Sequence, residues 1–485
     1  MHHKFSVFRL APLLWLAGCA VGPDYQAPRP EPVALASPEQ ALFTHERVQR
    51  DWWKQLQDPQ LDRLVALALA RNQDIRLAQA RLAEARAVLD ERELDRWPAV
   101  TAQGDYARSL SQLNAGPAGQ RNLARSYQAG FDAVWEIDLF GRLRRAAESA
   151  AAASQASEAD LAQIRVVVAA EVARNYFEMR GAEQRLRVAR DSLASQRDTL
   201  RIVQALADSG RGNESDVASA RAELATVEAS LPVQETARRL AAYRLAVLAG
   251  LRPAELGELE PAPSLAPLAT RLPIGDPARL LARRPDVRAA ERALDLRVRH
   301  HRHLSGAGRA VRAAANAEVG VAAAERYPRI DLGGFLGFAA LRGADFGTGA
   351  SRAFSTRAGI SWPALHLPTA LARQRAAQAR FEGSSAQYEQ TVLRAIEELE
   401  SALTQYGQTQ RRLRSLAEAA GQSARALALA TLRYQEGAAP YLAVLDAQRT
   451  LLRAQDAVAE AEMASYTSLA ALYKALGGGW EPGMG

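Results

Sequence analysis

QAGFDAVWEIDL, residues 128–139, has Ala129, Phe131, Ala133, Trp135, Ile137 and Leu139 apolar, with Gln128, Asp132, Glu136 and Asp138 standing between them. A period of two is the mark of a strand with one apolar face. Just beyond it the pattern changes, and from about 142 to 208 the chain reads as one helical region rich in alanine, leucine and arginine. At the α-helical rise such a stretch is about 100 Å long if continuous. A helix of that length cannot bury itself alone, so neighbouring helices must share the burial, as in a coiled coil.

The same sequence of events occurs twice. Asp74-Ile75-Arg76 recurs as Asp286-Val287-Arg288, Trp97-Pro98 as Tyr327-Pro328, Trp135 as Trp362 and Gly210 as Gly437. Trp135 to Gly210 and Trp362 to Gly437 are both 75 residues apart, which marks a tandem duplication of one structural unit. Each unit opens with an amphipathic helix, such as the one around LDRLVALALARNQDIRLAQARL (61–82), that a proline ends. Two strands follow, predicted at about 98–111 and 126–139 in the first unit and 328–342 and 352–363 in the second. Each is near the roughly 9–11 residues that cross a membrane in a barrel. A second long helical region then covers about 369–435. The division is residues 51–284 for the first repeat, 285–476 for the second and 477–485 for a tail. Four strands cannot close a barrel, and an open sheet edge is not tolerated in lipid, so other copies must complete the sheet.

The amino terminus is a targeting segment. Lys4 and Arg9 precede a short apolar run, Leu10 to Ala17, that is too short to span a bilayer, and small residues lead into Cys19, the only cysteine of the chain. The Leu-Ala-Gly-Cys ending looks like a lipobox. Cleavage would remove 1–18, and Cys19 would become the lipidated first residue of the mature chain, followed by an extended segment to about residue 50. The alternative is a buried free cysteine behind an ordinary leader. Ala20, rather than aspartate, after the cysteine implies the outer membrane in such lipoproteins. A lone cysteine excludes an intramolecular disulfide. The formal charge of +7 does not indicate nucleic acid: two charges leave with the leader, and residues 295–312 carry +4.

CAVGPDYQAP, DWWKQLQDPQLDRLVALALARNQDIRLAQARL, WEIDLFGRLRR, RRPDVRAAE, AAANAEVGVAAAERYPRIDL, RYQEGAAPYLAVLDAQRTLL and LYKALGGGW together resemble the TolC-like outer membrane factors. The resemblance is to the lipoprotein branch called the NodT family, which serves resistance-nodulation-division efflux pumps, and it covers nearly the whole mature chain. It implies a mainly α fold with a small transmembrane β part, four strands per chain completing a twelve-stranded barrel in a homotrimer. It implies as partners a periplasmic membrane fusion adaptor, an inner membrane pump and outer membrane lipid, with no cofactor beyond the covalent lipid on Cys19.

The resemblance also places Gly210 and Gly437 at the periplasmic turns of the long helices, where the adaptor is expected to contact. Glycine suits such helix ends because it accepts the left-handed conformation. Pro440 fits the first turn of the following helix, where Leu442 and Asp446 stand four apart on one face. Both match the family's gate positions. Three Asp446 carboxylates about a narrow axis would bind cations and make opening sensitive to pH and salt. Outside that setting Asp446 is a solvated carboxylate near a helix amino terminus. Asp216 matches a second acidic gate position or, alternatively, forms half of a local cap with Asn213; its counterpart in the second repeat is Ala443.

Two features depart from the family. Pro368 and Thr369 replace a glycine-containing turn after the fourth strand. The interval from Asp286 to Pro328 is 42 residues against 24 from Asp74 to Pro98, and the excess maps to DLRVRHHRHLSGAGRAVR (295–312), a basic insertion. His300, His301 and His303 within it lack a nearby carboxylate or thiolate partner for a metal and are flanked by arginines. No catalytic constellation or phosphate loop points to an enzyme. An adaptor would flank a small lipoyl-like β domain with its helices, whereas here two strand pairs divide two long helical runs. The expected function is passive outer membrane efflux of drugs or other small molecules. Channels for type I protein secretion or heavy-metal efflux remain the alternatives.

Overall fold

The computed structural model describes residues 42–111, 122–257, 259–260, 271–275, 284–295 and 317–479. Cys19, the leader and residues 296–312 of the insertion lie outside the described residues. Along the chain run β1 (Phe43–Thr44), α1 (Pro59–Arg71), α2 (Gln73–Leu94), β2 (Ala99–Ser111), β3 (Asn122–Ile137), α3 (Arg142–Asp208) and α4 (Glu214–Leu248). They are followed by β4 (Leu272–Pro273), α5 (Pro285–Asp295), α6 (Ala317–Ala324), β5 (Arg329–Ala340), β6 (Arg352–Ser361), α7 (Leu367–Gln435) and α8 (Tyr441–Ala475). The described residues divide into two compact units. One comprises those of 81–158 and 289–389 and is built around a sheet; the other comprises those up to Ala80, of 159–288 and from Gln390 onward, and is nearly all helical.

The four long strands pair antiparallel in the order β2-β3-β5-β6, so the two hairpins of the duplication lie side by side. β3 begins at Asn122, earlier than the predicted start near 126. Its ladder to β2 runs on through Leu123↔Leu110 and Arg125↔Arg108, where the charged Arg125 stands on the apolar face and hides the apolar period. α7 begins at Leu367, two residues before the predicted start.

The register sorts side chains onto two faces. Val100, Tyr106, Leu110, Phe131, Trp135, Leu332, Leu336, Phe338, Phe354 and Ile360 share one face, and Leu336, Phe354 and Ile360 on it are 68%, 80% and 76% exposed. The other face carries Thr101, Gln103, Asp105, Gln128, Asp132, Glu136, Asp331, Ser355 and Arg357. Its aromatic exception is Phe335, which covers the facing pair Gly130↔Gly337: a Cβ built on either glycine would come within 3 Å of the ring. An aromatic laid over strand glycines restores packing that they cannot supply.

The duplication is visible in hydrogen bonds. Trp135 Nε1 donates to the Arg96 carbonyl at 3.0 Å, and Trp362 Nε1 donates to the Arg326 carbonyl at 3.0 Å. Each tryptophan therefore pins its strand to the turn that follows the preceding helix. The strand-to-helix connections differ, however. In the first, Gly141 takes φ 81° and the Asp138 carboxylate accepts from the Leu143 and Arg144 amides at 3.1 and 2.8 Å. In the second, a short 3-10 turn, Ala364–His366, leads directly into α7, and Pro368 falls in the first helical turn, where its missing N–H costs nothing.

In the helical unit, Trp52 stacks on Tyr473 with ring centroids 4.7 Å apart and Phe177 packs on Tyr466 at 4.6 Å. Ile75 and Val287, the repeat equivalents read from the sequence, are both buried. Asn72 Nδ2 donates to the Leu248 carbonyl at the end of α4 at 3.0 Å, and Arg284 donates to the Ala475 carbonyl at the end of α8 at 2.7 Å. Repeat-equivalent positions thus satisfy helix carboxyl ends with different side chains. Arg284 is itself buried and held by Asp286 and Glu398 at 2.7 and 2.6 Å.

Gly337→Ala is expected to lower the stability of the purified protein by about 1–3 kcal/mol, because the new methyl would press on the β3 backbone and the Phe335 ring. Gly104→Ala, with nothing within 4 Å of its Cβ, is expected to stay within about 0.5 kcal/mol of the parent. Thermal unfolding of the two variants side by side checks both values.

Candidate functional site

The helix turns of the helical unit bring together the residues that the sequence singled out. α3 ends in a glycine turn in which the Gly210 amide donates to the Ala207 carbonyl at 2.9 Å and the Arg211 amide to the Leu206 carbonyl at 2.9 Å. α7 ends identically, with Gly437 donating to Tyr434 at 2.9 Å and Ala438 to Arg433 at 2.8 Å. Gly210 and Gly437 have φ of 73° and 72°, the left-handed region that glycine enters without a Cβ penalty. After each turn a helix restarts, from Asn213 into α4 and from Pro440 into α8. Pro440 is the capping residue itself, one position before the first helical turn expected for it.

Between the turns sits an apolar cluster of Val203, Val217, Ala220, Tyr441, Val444 and Leu445, packed by Leu200 and Ala207 of α3 and by Leu427, Ala430 and Tyr434 of α7. Helical period explains the division of α8. Tyr441, Val444 and Leu445 face the cluster, while Leu442 and Asp446, four apart, share a stripe that is exposed in the single chain, Leu442 at 56%. Asp216 is half-buried at the start of α4. The Asn213 side chain caps that helix by accepting from the Ser215 amide at 3.0 Å. The Asp216 charge bears instead on two phenols. Burial, the Tyr434 phenol and Asp216 together push Tyr441 up to about 12, and burial with Asp216 raises Tyr434. Both phenols therefore stay neutral at physiological pH. Their rings lie 5.8 Å apart, and the buried Tyr441 hydroxyl has no hydrogen-bond partner among the described residues.

Three polar ties hold α8 to its neighbours below this cluster. Gln448 donates to Thr199 of α3 at 3.0 Å, Arg449 donates to Glu223 of α4 at 2.5 Å, and Arg185 of α3 grips Asp456 with two bonds of 2.7 Å. Glu223 is buried, so its carboxylate depends on Arg449 for charge compensation. A cleft of about 490 Å³ runs beside these ties, lined by Arg185, Glu223, Arg449, Arg453 and Asp456.

The sequence profile of the outer membrane efflux protein family matches residues 64–251 and 297–478. The chain belongs to the outer membrane efflux protein family. Solvent efflux pump outer membrane protein SrpC of Pseudomonas putida is 29% identical over 490 residues, 98% of this chain and 99% of its own. Outer membrane protein OprJ of Pseudomonas aeruginosa is 30% identical over 494 residues, 99% of this chain and 97% of its own. The solved outer-membrane channel OprN matches with a TM-score of 0.87 and 41% identity, covering 96% of this chain and 100% of that one. This outer membrane efflux protein accordingly has the TolC-like fold and resides in the outer membrane as an efflux channel. Among its described residues no helix is long and apolar enough to cross a membrane, and no cluster of three or more His, Cys, Asp or Glu could hold a metal.

The tie between Arg449 and Glu223 was not singled out in the sequence. A signal existed in the duplication: with Gly210 set on Gly437, Glu223 falls on Thr450 and Arg449 falls on Ala222. A charge present in one repeat and replaced by an uncharged residue in the other marks where the two repeats have diverged.

Gly437→Ala should cost about 1–2 kcal/mol locally, from backbone strain alone, since nothing lies within 4 Å of its Cβ. Amide hydrogen exchange should speed up at the α7–α8 turn in this efflux protein and stay unchanged in α1.

Proposed function

We propose that the protein works as a homotrimer that passively conducts drugs or other small molecules, delivered by an inner membrane pump through a periplasmic adaptor. In this reading the adaptor meets the turns at Gly210 and Gly437. Leu442, Asp446 and, at a half-buried position, Asp216 form the periplasmic gate, and lipid on Cys19 supplements anchorage in the outer membrane. The observation that carries the reading is the sheet: one apolar face, one polar face and two unpaired outer edges, β2 and β6. Edges of that kind are not stable in hydrocarbon, and pairing with further copies removes them. SrpC, whose name assigns it to solvent efflux, supports small apolar cargo. Conduction needs no catalytic group, and the relatives are channel proteins.

The exposed stripe of Leu442 and Asp446 suits a gate because three copies would present an apolar ring and an anionic ring one turn apart. Opening requires α8 to leave its neighbours, and the ties to Thr199, Glu223 and Arg185 oppose that movement. Ties of this kind can break and re-form without leaving a void.

Accumulation of dyes and antibiotics in the native strain lacking this gene is the test. Complementation with the full chain should lower accumulation. A version without residues 295–312 separates a harmful insertion from a tolerated one, and failure of both would refute drug export and direct the search to metals and secreted proteins. Arg449→Ala leaves Glu223 uncompensated, a penalty of about 1–3 kcal/mol that favours the open state. Open probability in planar-bilayer recordings should rise on the order of tenfold, as about 1.4 kcal/mol implies, and an unchanged trace would remove Arg449 from the gate.

Cys19→Ala should leave uncleaved precursor in the inner membrane. Normal processing and outer membrane recovery of that variant would refute lipidation.

A further inference from the structure

Within the strands, the apolar face of the sheet carries three charged side chains, Arg108, Arg125 and Arg352, all of one sign. Every strand carboxylate, Asp105, Asp132, Glu136 and Asp331, falls on the opposite face. The three arginines also share one end. Arg108 and Arg125 stand where β2 and β3 approach their connecting hairpin, and Arg352 is the first residue of β6 after the β5–β6 connection. At the other end, where the strands meet the helices, the same face ends in Trp135, Ile137, Ile330 and Ile360 without a charge.

Arg108 and Arg125 are direct cross-strand partners. Like charges so placed repel, and Cβ atoms of such a pair are only about 4.5–5.5 Å apart. All three arginines are exposed, and no ion pair or hydrogen bond of their side chains occurs among the described residues; Asp345, in the β5–β6 connection, is paired with Arg342 at 2.8 Å. Beside them lies an aromatic cluster on the same face: Tyr106 on Tyr127 at 4.9 Å, with Phe346 of the β5–β6 connection on Tyr127 and Phe338 at 6.2 and 6.4 Å. Arginine next to aromatic rings at one rim of an apolar band is the composition that takes a charged headgroup while its acyl chains lie on the band.

We infer that this rim is a binding surface for a phosphate-bearing lipid of the outer leaflet, with Arg108 and Arg125 clasping one phosphate and Arg352 supplying a further cation along the rim. Guanidinium matches phosphate oxygens with paired N–H donors, and an anion between Arg108 and Arg125 turns their repulsion into a shared contact. The one-sided placement distinguishes this surface from general interfacial anchoring, which would put cations at both ends of the band. The inference rests on the proposed membrane-crossing sheet, with the hairpin ends outward and the helices in the periplasm.

The test uses the purified full chain. Flotation with neutral phosphatidylcholine vesicles comes first and examines the membrane-crossing reading alone; failure to float overturns that reading. Native mass spectrometry then counts retained lipid after vesicles are doped with a bisphosphorylated diglucosamine glycolipid or with its dephosphorylated counterpart. Retention of the phosphorylated lipid should exceed that of the dephosphorylated one by about thirtyfold, as two arginine contacts imply. Arg108→Gln with Arg125→Gln should lose that preference, Arg108→Lys with Arg125→Lys should keep most of it, and Arg357→Gln on the opposite face should leave it unchanged. Equal retention of both lipids by the parent chain, undiminished preference in the double glutamine variant, or an equal loss in Arg357→Gln would each overturn the inference. Should the glutamine variant fail to float, the two lipids compared on the parent chain still decide it.

Discussion

Hydrocarbon offers no partner to a backbone N–H or C=O, and each group left unpaired there costs several kcal/mol. Much of the architecture follows from that constraint. The four strands satisfy one another through unbroken ladders, β2 to β3, β3 to β5 and β5 to β6. The outward groups of β2 and β6 pass the requirement on to another copy of the chain. Once the strands are committed to lipid, the period of two commits their side chains, since a shift of one residue would turn Asp105, Asp132 and Asp331 into the hydrocarbon. The Gly130↔Gly337 pair under Phe335 belongs to the same account, because it lets two backbones approach closely while the ring closes the gap from the polar side.

Duplication supplied the frame, and divergence supplied the difference between hairpins. Trp135 and Trp362 make the same bond, and the turns at Gly210 and Gly437 make the same two bonds. Where polar side chains act, the copies part: Asn72 against Arg284 at helix ends, Asp138 capping α3 against a 3-10 turn before α7, and Arg449 against Ala222. Backbone geometry admits few solutions for ending a helix or pinning a strand, so it persists. The side chains that compensate one another can be exchanged as long as the buried carbonyl or carboxylate is still met.

This difference explains what the sequence disclosed. Strand number, the long helices, the glycine turns and the exposed stripe of Leu442 and Asp446 all rest on periodicity or on a backbone conformation that one residue type favours, and both are local properties. The start of β3 was less legible because Arg125 breaks the apolar period, and only pairing with β2 reveals that the ladder continues. The ties of Arg449 to Glu223 and Arg185 to Asp456 were illegible for a different reason. Their partners are separated by 226 and 271 residues, and on a single helix each charge looks like part of a solvated face. The sequence leaves Asp216 between gate and cap; Asn213 caps the helix alone, and the effect of Asp216 on Tyr441 needs a partner from the other repeat.

The ties of α8 to the first hairpin are firmer than those within that hairpin. α4 is joined to α3 by Arg221 with Gln204 and by Arg197 with Glu228, both exposed, and exposed pairs contribute roughly 0.2–1 kcal/mol. α8 is joined through Gln448, Arg449 and Asp456, all partly buried, where the surrounding protein weakens competition from water and a carboxylate left behind is costly. The proposed gate, shut by default and opened on demand, benefits from contacts that are strong together and separable one at a time. Apolar packing alone cannot provide this, because parting it exposes the whole surface at once. The ties between α8, which carries Leu442 and Asp446, and the first hairpin are of this kind.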